Sequence, residues 1–200
     1  MIRSFSRIAK KYHHGRPGFL WLVSMCLLCG QVTADQEHWQ NPDYLLNSFI
    51  EIAMKNEHDP DPGRVRKWTA PVTVWIDHQV AEQDLHTRLV TLHLNDLARI
   101  TGHPISLATS ESHANVIVVF AKFQDMAALT RQLMGGKAES ILHGTLCLGN
   151  IQTDNRYVIH HASIIIPADQ ARTKGKLVSC ITEELTQMLG LVNDSEAVYP

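Results

Sequence analysis

The stretch Cys180 to Asp194, CITEELTQMLGLVND, gathers residues whose types and spacing could do chemistry. Its apolar periodicity predicts a helix from about Lys176 to Leu189, with Gly190 as the stop. At 100° per residue, Cys180, Glu183, Glu184 and Gln187 fall on one side of that helix. Leu177, Ile181, Leu185 and Met188 fall on the other and should pack on a sheet. Polar groups that could share a site therefore point the same way. Adjacent carboxylates raise one another's pKa unless a cation sits between them, so Glu183 and Glu184 raise the question of a metal.

Metal-peptidase chemistry uses this geometry. Two histidines at i and i+4 hold Zn²⁺ from one helix face, and a glutamate at i+1 activates the water. The extended form adds a glycine three residues after the second histidine and a third ligand three residues further on. On this chain Glu184 stands at the general-base position and Gly190 at the glycine. Glu183 and Gln187 replace the histidines, Asn193 takes the third-ligand position, and Asp194 follows it. A ligand set of Glu183, Gln187, Asn193 and Asp194 offers oxygen only. That disfavours tight tetrahedral zinc and suits a hard divalent cation, Ca²⁺, Mg²⁺ or Mn²⁺, if any binds. The plainer alternative stays open: acid pairs on helices are usually solvated, and Asn-Asp after glycine is an ordinary turn.

His143, His160 and His161 are the other candidate cluster. Neighbours on a strand point to opposite faces, so at most one of the last two could join His143 around zinc. Neither a glycine-rich phosphate loop nor a nucleophile-elbow sequence is present.

The elements that must position these residues alternate along the chain. Asn41-Pro42-Asp43 caps a helix running to about Glu57, with Leu45, Leu46, Phe49, Ile50 and Ala53 on one face. A proline-rich loop ends near Arg64, and Pro71 to Asp77 is a short β-branched strand. A long helix follows from about Ala81 to Thr101, its Leu85–Leu89–Leu92 row flanked by Val90, Leu94 and Leu97. Strands are expected at 105–109 and 114–120, the second apolar throughout as a strand covered on both faces would be. A helix at 124–134 and strands at 145–151 and 157–166 complete the set before the final helix. This order predicts a mixed sheet with helices packed against it.

The first 34 residues read as a cleavable signal peptide, the alternative being an uncleaved anchor. Five basic residues and no acid precede the apolar run Phe19–Cys29, and Val32-Thr33-Ala34 offers a cut. The run is shorter than the roughly 20 residues a membrane span needs. Removing it leaves all 20 acidic residues but only 13 of the 18 basic ones, a net charge near −7. That field repels polyanions, so nucleic acid is excluded as a natural partner. Cys147 and Cys180 remain, and in an oxidising compartment two cysteines most economically form one disulfide; two buried thiols are the alternative.

The pattern C-x-x-E-E-x-x-Q-x-L-G-L-x-N-D at Cys180–Asp194 resembles the hallmark of a family of exported bacterial proteins known only as a domain of unknown function. Phe49-Ile50-Glu51-Ile52-Ala53, Arg66-Lys67-Trp68 with Pro71-Val72, Thr101-Gly102-His103 and Ala114-Asn115-Val116 match it too. The resemblance implies that the Glu-Glu and Gln pattern is the family's own form, and it brings no activity with it. Helix spacing and strand order are further similar to a degenerate zincin. Six residues follow Asp194, too few for the C-terminal subdomain and methionine turn of metzincins.

The expectation is a zincin-like α+β fold: a signal peptide at 1–34, an N-terminal helix and loop at 35–67, and the main domain at 68–200. It would be periplasmic or secreted and would bind a protein or peptide through a degenerate peptidase site. The enzyme alternative is a hydrolase with Glu184 as general base and a hard cation; a purely structural role for Cys180–Asp194 is the third.

Overall fold

Helix α1 (Pro42–Phe49) begins where its capping signal stands. The Asn41 side chain accepts from the backbone N–H of Asp43 at 2.8 Å and of Tyr44 at 3.4 Å, and Pro42 fills the first turn. The computed structural model describes residues 40–55, 63–135, 145–195 and 197–198. Residues 1–34, read above as a signal peptide, most of the proline-rich loop and His143 lie outside the described residues. The described residues belong to one compact unit. No helix among the described residues is long and apolar enough to cross a membrane.

Six strands form the sheet: β1 (Lys67–Trp68), β2 (Val72–His78), β3 (Ile105–Leu107), β4 (Val116–Ala121), β5 (Leu148–Thr153) and β6 (Val158–Pro167). β2 pairs in parallel with β3 and β4, and β4 pairs in parallel with β6. Ile159 of β6 pairs with both Trp68 and Thr153, so β1 and β5 must lie on opposite edges of β6. Ala162 likewise pairs with Val116 and Ile151, which puts β4 on the β1 side. The order across the sheet is therefore β3, β2, β4 with β1 below it, β6, β5. Only β5, at the edge, runs antiparallel.

Period-2 alternation sorts the core onto two faces. Val74 and Ile76, Val118 and Phe120, Ile164 and Ile166 point to one side, where α2 (Gln83–Thr101) and α5 (Leu177–Gln187) cover them. Val119, Ala121 and Ile165 point to the other, against Met126 and Leu129 of α3 (Met126–Met134). β4 reads as a continuous apolar run because both its faces are covered, as does the Ile164–Ile166 end of β6.

The structure corrects one stripe and adds short elements that the sequence did not show. The buried row of α2 is His86, Val90, Leu94 and Leu97; Leu92 is 59% exposed, and Leu85 and Leu89 pack only at the margin. Two-residue β1 and six-residue α4 (Ala168–Thr173) are too short to leave a periodic signal. β1 nevertheless matters. The buried Trp68 indole N–H donates to the Met188 carbonyl at 2.8 Å and pins the C-terminal end of α5.

Candidate functional site

Leu177, Ile181 and Leu185, with Met188 just beyond the helix end, seat α5 on the sheet, each at most 7% exposed. That packing fixes the direction of the other face. Cys180 turns to the start of β5 and forms a disulfide with Cys147, 33 residues away. In the chain-entropy treatment a loop of that size stabilises the fold by about 3–4 kcal/mol. Replacing both cysteines by alanine should lower unfolding free energy by about that much in urea titrations. An unchanged midpoint would show that the loop is already constrained without the bond.

Beyond the disulfide, α5 and β5 run alongside each other and enclose a cavity of about 580 Å³. Gly149, Asn150 and Ile151 line it from β5; Glu183, Glu184 and Gln187 line it from α5. Arg66, Val192 and Asp194 close the end near the helix C-terminus. The two glutamates occupy different environments. Glu184 is 6% exposed and lies against Gly149, where a Cβ would collide with its carboxylate. Glu183 is exposed at the mouth. One helical step of 100° separates a buried glutamate from an exposed one.

Gln187 donates through Nε2 to Asp194 Oδ1 at 2.6 Å, which ties the helix to the segment after Gly190. Asn193 turns elsewhere: it is buried, and its Nδ2 donates at 2.9 Å to the carbonyl of Glu51, in the π-helical turn Ile50–Met54 that continues α1. Ser195 reaches the Glu51 carboxylate at 3.1 Å. Lys55 and Ser195 together hold that carboxyl below its usual pKa, Lys55 contributing most. The structure thus gathers Glu183, Glu184, Gln187 and Asp194 around one cavity and places Asn193 against the π-helical turn after α1. Among the described residues no group of three or more His, Cys, Asp and Glu stands close enough to hold a metal ion. His160 is exposed, whereas His161 is half-buried with its Nε2 3.2 Å from Ser163 Oγ, and burial pushes its pKa down.

Two site residues went unread in the sequence, Gly149 and Arg66. A glycine inside a strand pattern signals close approach of another group, and Gly149-Asn150 carried that signal. Arg66 had none. Its Nη1 is buried without a hydrogen-bond partner, and its backbone carbonyl lies so close to Gly190 that a Cβ there would overlap it.

A family model described as "Protein of unknown function (DUF2927)" matches residues 42–200. The chain belongs to this family. The match takes in every element named above, from α1 to the turn after α5, and the family carries no assigned activity. No curated protein and no solved structure matches the chain.

Proposed function

We propose that this member of the family is an exported, zincin-like domain that binds an extended peptide segment rather than cutting it. The observation that carries the reading is the cavity between α5 and β5, a strand whose outer edge has no partner among the described residues. An unpaired edge holds peptides by main-chain hydrogen bonds while neighbouring pockets read side chains. The zincin analogy is supported by an antiparallel edge strand beside the site helix, by Glu184 in the general-base place and by Gly190 at the turn. Export is supported by the Cys147–Cys180 disulfide, since such bonds persist in oxidising compartments. Binding is favoured over catalysis because Asn193 is spent on Glu51, and Gln187 and Asp194 on each other.

The hydrolase reading rests on Glu183, Glu184 and Asp194 lining one cavity, with Glu184 as base; a hard cation there would have to draw together carboxylates that do not stand close enough to hold it. Selection from a displayed random decapeptide library separates the two. Selected peptides should bind wild type and Glu184→Gln equally, and alternate N-methylation of their backbone should weaken binding by about tenfold or more. Cleavage by wild type but not by Glu184→Gln, with a melting temperature raised by Ca²⁺ or Mn²⁺ in wild type alone, would replace binding by hydrolysis.

A further inference from the structure

A second cavity, of about 520 Å³, lies on the side of α5 away from β5. Ser179, Glu183, Gln187 and Asp194 line both cavities, so the two meet across one helix, with the Gln187–Asp194 hydrogen bond on the ridge between them. The second wall differs in chemistry. The Thr182 hydroxyl donates to the Val178 carbonyl at 3.1 Å, and the Thr186 hydroxyl to the Thr182 carbonyl at 2.6 Å. Asn193 and Ser195 are both committed to Glu51. Polar groups already bonded within the protein offer a ligand little, because any new bond replaces one that exists. What remains for contact is the threonine methyls with Ile52, Leu191 and Val198. The apolar surface also runs out of the cavity along both helices: Val178 lies one turn before Thr182, and Phe49 and Leu45 one and two turns before Ile52, all exposed.

We infer that this second cavity is the subsite for a bulky aliphatic or aromatic side chain of the same peptide whose main chain runs along β5. The inference rests on the peptide-binding reading of the first cavity. The shared wall selects the occupant. An extended chain advances about 3.3 Å per residue, so about three residues carry it from β5 across a helix about 10 Å wide. The acidic ridge of Glu183 and Asp194 lies between the two halves, so the peptide meets a polar groove, then carboxylates, then an apolar pocket.

Fluorescein-labelled decapeptide mixtures, each fixed at one position to Phe, Leu, Ser or Asp, test this with the full chain by anisotropy. At one position Phe or Leu should beat Ser and Asp by about tenfold, equivalent to about 1.4 kcal/mol. Thr182→Asp and Leu191→Ser should each erase that preference while leaving the Ser-fixed mixture bound as before. Thr182 is half-buried on the helix surface, so its variant keeps the test intact if the leucine variant fails to fold. Mixtures that bind without an apolar preference, or a preference that survives both substitutions, would overturn the subsite and leave the β5 groove standing. No binding by any mixture would overturn the groove and the subsite together. Concentration-dependent dimerisation without peptide, abolished by Thr182→Asp, would instead assign the apolar face to a second copy of the chain.

Discussion

Gly190→Ala should destabilise the protein by about 3–5 kcal/mol, among the largest single-residue effects in the fold. Two constraints act at this position. Its φ is 109°, outside what an L side chain tolerates, and a Cβ would overlap the Arg66 backbone carbonyl. Neither partner can step aside. Arg66 leads directly into β1, where the Trp68 indole is bonded to Met188, two residues before the glycine. The Gly190 N–H in turn donates to the Gln187 carbonyl at 2.9 Å and closes α5. A displaced chain would lose the Trp68 bond, the end of the helix and the placement of Asp194 at once. Gly102→Ala is the internal control. Gly102 also has a left-handed φ, 68°, but nothing stands where its Cβ would go, so its cost should stay near 1–2 kcal/mol. Urea denaturation of both variants measures the difference. Equal losses would mean that only the backbone conformation matters and that the approach of Arg66 carries no weight.

The same pair of residues shows how far the sequence could be read. Gly190 was legible as a helix stop because glycine after an apolar period is a local signal. That it also receives the backbone of Arg66, 124 positions earlier, depends on where β1 lands in the sheet, and no local pattern encodes that. The continuous apolar run at 114–120 announced a strand covered on both faces, and the structure puts that strand, Val116–Ala121, in the middle of the sheet. In α2 three leucines at helical spacing outweighed a histidine, yet the face that meets the sheet includes His86 and excludes Leu92. Hydrophobicity scales cannot anticipate a ring that packs for its shape. At the candidate site the helical wheel placed Glu183, Glu184 and Gln187 together. It could not say that Glu184 alone would be covered, because the cover is a side-chain-free spot on another strand.

His86 leads to the second large effect, a loss of stability on mild acidification. Its ring is 1% exposed and lies stacked on Phe120, with centroids 4.1 Å apart and planes within 4°. Neither ring nitrogen has a hydrogen-bond partner. His78 stacks beside the pair, its Nδ1 also buried without a partner and its Nε2 3.2 Å from Thr87 Oγ1. Burial pushes the pKa of His86 down, and the neighbouring His78 pushes the same way. Burial also lowers His78, opposed by Asp77 and Asp84. A histidine whose folded pKa lies below its unfolded value stabilises the fold fully above the unfolded value, near 6.5. As pH falls through that value the unfolded chain takes up protons first, so stability declines until the folded pKa is reached. His93 and His161, both lowered chiefly by burial, contribute with the same sign. The unfolding free energy should therefore fall as pH drops below about 6.5, each histidine adding a slope of at most about 1.4 kcal/mol per pH unit. His86→Phe keeps the stacked ring and removes two unsatisfied nitrogens. It should raise stability at neutral pH by about 1–3 kcal/mol and flatten the acid slope. A variant with undiminished slope would move the acid sensitivity to the other three histidines, and a destabilised one would show that the buried ring needs its nitrogens.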